Sequence, residues 1–256
     1  MTRIIAVINH KGGVGKTTTV ASLGAVLAEM GNRVLIVDLD AQSNLTSSLL
    51  AKIPDRTLYN ALTERKDLPT IQIKPNLWLT PSTLDLAGVE LELASSFGRE
   101  TILRDLLQEQ EGKFDYILLD CPPSLGLISV NAIVASTEVY VPMTAEALPY
   151  KGLEMLTHFL DLLQRNLKKD TGIDGIIITR YLRNKNLTKV VEEDIRATYG
   201  DKVFNTNIRE NVSIAEAPLY QTDIITYAPK SNGAEDYKKL AEEVINKSNK
   251  DNNNNK

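Results

Sequence analysis

Ile4-Ile5-Ala6-Val7-Ile8-Asn9-His10-Lys11-Gly12-Gly13-Val14-Gly15-Lys16-Thr17-Thr18-Thr19 is the stretch that decides the fold. A continuous apolar run, the pattern of a strand covered on both faces, leads into a glycine-rich turn and then into a helical period. Glycines at 12, 13 and 15 let the backbone turn tightly, so that successive N–H groups and the following helix N-terminus converge on one anion. Lys16 adds a point charge for the outer phosphates of a nucleotide, and Thr17 a hydroxyl able to ligate Mg²⁺. The usual form of such a loop has glycine five residues before Gly15. His10 stands there instead, with an additional lysine, Lys11, beside it.

Outward from the loop, strands and helices alternate. Val34–Val37, Tyr116–Leu119, Val139–Val141 and Ile176–Ile178 are further short apolar runs. Between them Val20, Leu23, Leu27 and Met30 recur at helical spacing and stop at Gly31, and Leu153, Leu156, Leu160, Leu163 and Leu167 do the same later, as do Tyr237, Leu240, Val244 and Ile245. The pattern predicts an α/β fold, a doubly wound, mostly parallel sheet flanked by helices, with ligands at the carboxyl ends of the strands. The segment from Leu50 to Leu107 is less regular: a short helix near Leu58–Leu62, a strand at Leu77–Thr80, and helices near Leu84–Leu93 and Thr101–Leu107 are expected.

Two strands end in acids. Val34–Val37 runs into Asp38-Leu39-Asp40-Ala41-Gln42, and Tyr116–Leu119 into Asp120-Cys121-Pro122-Pro123. A carboxylate at such a position beside a phosphate loop can hold Mg²⁺ or orient an attacking water. Asp120 reads as the metal-side acid. Asp38 and Asp40, two apart, are expected on one side of the strand, the one nearer the γ-phosphate positioning water.

With 256 residues, 43% of them hydrophobic, the chain is long enough for one large domain, read as residues 1–247, with an Asn-rich disordered tail at 248–256. One cysteine excludes an internal disulfide framework, and the charged start followed by a strand-like run does not resemble a signal peptide; a cytoplasmic protein is expected. No stretch approaches the roughly 20 apolar residues needed to span a bilayer. A net charge of −4 neither supports nor excludes nucleic acid, so a DNA site would be a local basic patch.

The motifs together resemble a known family. Lys11–Thr18, Asp38–Asn44 and Leu118–Ser124 look like the three nucleotide motifs of ParA/Soj-type partition ATPases, and Asn211–Pro218 with Ser231–Glu235 is similar to the family's C-terminal signature. The resemblance spans nearly the whole chain, and its loop is of the deviant Walker class of P-loop NTPases, which also contains MinD and the nitrogenase iron protein. It implies ATP and Mg²⁺ as ligands, held by Lys11, Gly12, Gly13, Val14, Gly15, Lys16, Thr17 and Thr18, with Thr17 and Asp120 on the metal. It implies Lys16 and Asp40 in hydrolysis, Asp40 positioning water and Asp38 supporting it. It implies a homodimer in the ATP state, in which Lys11 reaches the partner's nucleotide and neutralises phosphoryl charge as an arginine finger does. Thr179 and Arg180 match the position where relatives contact adenine.

Relatives also bind double-stranded DNA without sequence preference and are stimulated by a ParB-like centromere-binding protein, which implies a nucleoid-associated protein with no membrane attachment and weak turnover alone. Arg183, Lys185, Lys189 and Arg209 are the candidate DNA contacts, with Arg180, Arg196 and Lys202 nearby. Glu192, Glu193, Asp194, Asp201 and Glu210 interleave with them. Two positions often arginine in relatives are Glu210 and Ser213, with Arg209 one residue earlier. The rival readings are a MinD-like membrane-associated regulator of division, a metabolic ATP-coupled reductase or ligase, and a positioner of a protein cargo. Cys121, His158 and Trp78 read as packing or surface residues, since one cysteine per chain is too few for a four-thiolate cluster.

Overall fold

The computed structural model describes residues 2–145, 150–167 and 171–254. β1 (Arg3–Val7) passes through the glycine loop into α1 (Lys16–Glu29), followed by β2 (Val34–Asp38) and the short α2 (Asn44–Leu49). Then come α3 (Leu58–Glu64), β3 (Ile71–Lys74), β4 (Leu77–Thr80), a 3₁₀ turn at Leu84–Gly88, α4 (Val89–Glu92) and α5 (Ile102–Gln108). The alternation continues with β5 (Tyr116–Asp120), α6 (Leu127–Ala135), β6 (Glu138–Thr144), α7 (Tyr150–Leu167), β7 (Gly175–Thr179) and α8 (Asn186–Tyr199), then α9 (Val212–Glu216), α10 (Ile224–Tyr227) and α11 (Asn232–Asn254).

The strands form one sheet in the order β3-β4-β2-β5-β1-β6-β7, with every neighbouring pair parallel except β3 with β4. Alternate residues of the apolar runs feed opposite faces. Leu35, Val37, Ile117 and Leu119 join a core beneath α3, α5, α6, α7 and α8, whereas Ile36, Leu118, Val7 and Ile177 join one beneath α1, α10 and α11. Close approach of α1 to the sheet depends on Gly24, where a Cβ would sit 2.7 Å from Ile36 Cγ2.

Each predicted apolar run lies in a strand, except that β1 ends at Val7 and leaves Ile8, the last residue of the first run, to the following loop. β3 was not legible, because Ile71-Gln72-Ile73-Lys74 is an edge strand that is only partly buried and alternates in polarity. The helix expected near Leu84–Leu93 is instead two pieces meeting at Gly88, a residue that costs a helix about 1 kcal/mol relative to alanine. α11 runs to Asn254, so its backbone extends through most of the segment 248–256 that composition marks as a disordered tail; adding a residue to a nucleated helix gains a hydrogen bond without a new nucleus. Asn255 and Lys256 lie outside the described residues. No helix among the described residues is long and apolar enough to cross a membrane.

Candidate functional site

Strand register sets the site. Val7 of β1 and Asp38 of β2 both lie opposite Asp120 of β5, so the loops after these three strands leave the sheet at one level. The first of them takes the left-handed region at Gly13 (φ 73°) and Gly15 (φ 88°), conformations open to glycine at little cost, and delivers Lys16 as the first residue of α1. The loop is tied down from outside: Asn9 Nδ2 donates to the Pro142 carbonyl (2.8 Å), the Lys11 N–H donates to Asn9 Oδ1 (2.9 Å), and the Thr179 hydroxyl donates to the Val14 carbonyl (2.8 Å). A His10 ring nitrogen lies 2.9 Å from the Pro123 carbonyl, linking the loop to the one after β5.

Above the loop opens a cleft of about 680 Å³. At one end it is lined by Gly12, Gly13, Gly15, Lys16, Thr17, Thr18 and Asp40, and at the other by Thr179, Arg180 and the segments around Ile208–Asn211 and Ala217–Asp223. Lys16 is buried, and desolvation lowers its pKa while Asp120, Cys121 and Asp40 oppose the shift. Its ammonium donates to the Lys11 carbonyl at 3.3 Å, a weak bond for a charge that could hold a phosphate instead.

Asp38, Asp40 and Asp120 sit in different surroundings. Asp120 is buried, and neither carboxylate oxygen has a hydrogen-bond partner. Burial raises its pKa well above the ordinary carboxylate range, the neighbouring Asp38 adds to this, and the nearby Thr17 hydroxyl and Lys16 ammonium pull the other way. Asp38 is fully buried but satisfied: the Thr46 N–H (2.8 Å) and hydroxyl (2.7 Å) donate to one oxygen and the Asp40 N–H (3.1 Å) to the other. Desolvation still pushes it up to about 6. β2 ends at Asp38, so the strand alternation expected to put Asp38 and Asp40 on one side does not reach Asp40. Asp40 lies in the following turn and lines the cleft, its carbonyl accepting from the Ser82 hydroxyl (2.9 Å) and its carboxylate from the Gln42 N–H (2.9 Å).

Lys11 is exposed at the rim, outside the lining of the cleft. Thr179 is spent on the loop, its hydroxyl also within 3.2 Å of the Met143 carbonyl, while Arg180 lines the cleft in the left-handed region (φ 50°) and pairs with Glu210 at 3.3 Å. The basic candidates divide. Arg183, Lys185 and Lys189 are exposed around the start of α8. Arg209 is turned inward: it pairs with Asp236 (2.6 Å) and Glu235 (2.7 Å), and its N–H groups tie the cleft wall to α11. Cys121 is buried and burial pushes its thiol up, so it is a packing residue. Trp78 is partly buried, edge-on to Phe114, and His158 is exposed.

Asn9, Thr46, Ser82 and Asp236 hold the site and carried no signal of their own in the sequence. They are ordinary polar residues whose partners lie far along the chain: Ser82 is 42 positions from Asp40, and Asp236 is 27 from Arg209.

A glycine loop between a strand and a helix, a lysine at the helix start and a buried acid at the end of a neighbouring strand define a P-loop nucleotide-binding protein of the α/β class. The family model described as "AAA domain" matches residues 2–173. Soj, the sporulation initiation inhibitor protein of Bacillus subtilis, is 43% identical over 250 residues, covering 95% of this chain and 98% of its own. The chromosome partitioning protein ParA of Caulobacter vibrioides is 39% identical, covering 95% and 94%. A cobyrinic acid a,c-diamide synthase from Mycobacterium smegmatis, solved with a bound ATP analogue and magnesium, superposes with a TM-score of 0.83 at 33% identity, covering 96% of this chain and 95% of that one. The chain belongs to the AAA domain family, among the Soj/ParA partitioning ATPases.

Proposed function

We propose that the chain is an ATP-driven DNA-partitioning ATPase, in which an ATP-bound homodimer holds DNA without sequence preference and a ParB-like partner triggers hydrolysis and release. The observation that carries the nucleotide chemistry is Asp120, whose two buried carboxylate oxygens lack partners directly beside Lys16 and Thr17. A buried anion without hydrogen bonds is costly, and a cation removes the cost. The residues therefore fit Mg²⁺, with Thr17 and Asp120 on the metal side. No group of three His, Cys, Asp or Glu side chains among the described residues could cage a metal, which suits an ion shared with phosphate oxygens. When bound, Mg²⁺ neutralises charge between the outer phosphates.

The remaining roles belong to the chain itself. The loop N–H groups and Lys16 hold the phosphates, and Asp40, in the cleft beside them, orients the attacking water. Asp38 holds the turn that carries Asp40. Lys11, at the rim of its own cleft, is suited to complete the site of a second subunit, which makes hydrolysis depend on the dimer. Arg183, Lys185 and Lys189 supply the DNA-facing charge, with Arg209 shaping the wall near them. Arg180 faces the base end. Such a protein works at the nucleoid in the cytoplasm.

The test is retention of the purified protein on DNA with ATP, ADP or no nucleotide, repeated at increasing salt. ATP-dependent retention that falls steeply with salt is expected. Nucleotide-independent retention, or none, would contradict the proposal.

A further inference from the structure

His10 stands where the usual phosphate loop has glycine, and it lies at the surface, outside the lining of the cleft. The backbone explains why a side chain is tolerated there: Gly13 and Gly15 take the left-handed region of the loop, and His10 does not. The side chain is nevertheless engaged. A carbonyl only accepts, so the ring nitrogen 2.9 Å from the Pro123 carbonyl, Nδ1, carries the proton and donates it. In the neutral ring Nε2 is then bare.

The loop after β5 has use for an outside donor at this point. Pro122 and Pro123 have no N–H, so this part of the loop joins its neighbours through carbonyls and side chains. On one side the Cys121 N–H donates to the Val7 carbonyl (3.2 Å), and on the other the Ser129 hydroxyl donates to the Ser124 carbonyl. His10 supplies a donor between them. Pro123 lines the cleft together with Gly12, Gly13 and Lys16, and it closely follows Asp120 in the chain. The other end of the bond is held as well. Asn9 donates to the Pro142 carbonyl of β6 and accepts from the Lys11 N–H, and the Lys11 carbonyl accepts from Lys16. Residues 9–11 thus tie the phosphate loop to β6, to the loop after Asp120 and to Lys16.

We propose that His10 is a positioning residue for hydrolysis: its Nδ1–H holds the Pro123 carbonyl, which seats the loop after β5 against the phosphate loop and fixes Asp120 relative to Lys16 and Thr17. This rests on the reading of Asp120 as the metal-side acid of an ATPase. The bond lies at the surface, so its loss costs little stability, whereas a small displacement of the loop moves the groups that surround the phosphates. The test uses the full chain and two variants. His10→Leu keeps bulk without a donor, and His10→Asn places an amide N–H near the position of Nδ1. Phosphate release at saturating ATP and Mg²⁺ is expected to fall about tenfold in His10→Leu and to return to within about twofold of wild type in His10→Asn. Affinity for a fluorescent ATP analogue and melting temperature should stay at wild-type values in both. Ring-nitrogen NMR of the wild-type chain at alkaline pH should show His10 protonated at Nδ1. An Nε2–H ring, a His10→Leu variant as fast as wild type, or a His10→Asn variant as slow as His10→Leu would overturn the proposal. So would weaker binding of the ATP analogue in both variants, which would make His10 a nucleotide contact. Asp120→Asn separates the two levels: if it hydrolyses ATP normally, the reading beneath the proposal fails, and if it is inactive while His10→Leu is not slowed, that reading stands and the role of His10 alone is rejected.

Discussion

The two ends of the cleft treat charge in opposite ways. At the phosphate end Lys16 and Asp120 are buried with their bonding capacity largely unmet: the lysine donates only to a carbonyl at 3.3 Å, and the aspartate, beside Thr17 and Lys16, has no hydrogen bond of normal geometry. At the other end Arg180 pairs with Glu210, Arg209 with Asp236 and Glu235, and Lys74 with the buried Asp223, which also caps α10. A buried charge left unmet is stability withheld until a ligand arrives, whereas a paired one fixes geometry whether or not a ligand is present. The first end is thus built to bind and the second to hold shape.

Breaking the binding end should give the largest effects. Lys16→Ala is expected to lower ATP turnover by about 10³-fold or more, with loss of nucleotide affinity, as a fluorescent ATP analogue would report. Asp40→Ala should lower turnover by about 10²- to 10⁴-fold while leaving ATP affinity close to wild type, since the role proposed for it is to orient the water. If that variant hydrolysed ATP normally, the water-positioning assignment would be wrong.

The same contrast has a signature in stability. Asp38, at about 6, and Asp120, also raised by its burial, hold their protons more tightly in the folded chain than the unfolded range near 3.9. Between about pH 4 and pH 6 the folded state therefore binds more protons than the unfolded state, and nucleotide-free stability should fall as pH rises through that window. Asp120→Asn should flatten the fall and stabilise the apo protein at pH 7 by about 1–3 kcal/mol while abolishing hydrolysis, measurable by urea unfolding at the two pH values. A less stable variant at pH 7 would show that the carboxylate is not strained.

At the shape-holding end, Arg209→Ala should cost about 1–2 kcal/mol, since Asp236 is left buried and the pair is partly screened by water. Its ATP affinity should fall only modestly. Glu210→Ala removes an exposed pair, and its melting curve should shift by the equivalent of about 0.5 kcal/mol or less. If Arg209→Ala instead left stability untouched and halved DNA retention, Arg209 would belong with Arg183, Lys185 and Lys189.

Much of the binding end was legible in the sequence because its signals are local. Gly13, Gly15 and Lys16 lie next to one another, and Asp38 and Asp120 directly end apolar runs, so spacing alone brings them to one edge of a parallel sheet. The shape-holding end was not legible in the same way. Arg209 reads as one more basic residue, and only the folded chain brings Asp236 against it across 27 positions. The division between Asp38 and Asp40 was hidden too, because it depends on where β2 stops and on Thr46 and Ser82 arriving from other elements.

Lys11 stands at the rim, neither lining its own cleft nor removed from it, and the account of a dimeric ATPase turns on where it acts. The direct measurement is to mix two variants each inactive alone, Lys11→Ala and Asp40→Ala, in equal amounts with ATP and follow phosphate release. If Lys11 serves the partner's nucleotide, each mixed pair holds one complete site, and the mixture should recover roughly a quarter of the wild-type rate. A mixture no more active than its components would place Lys11 in its own subunit's site and contradict the dimer as the catalytic unit.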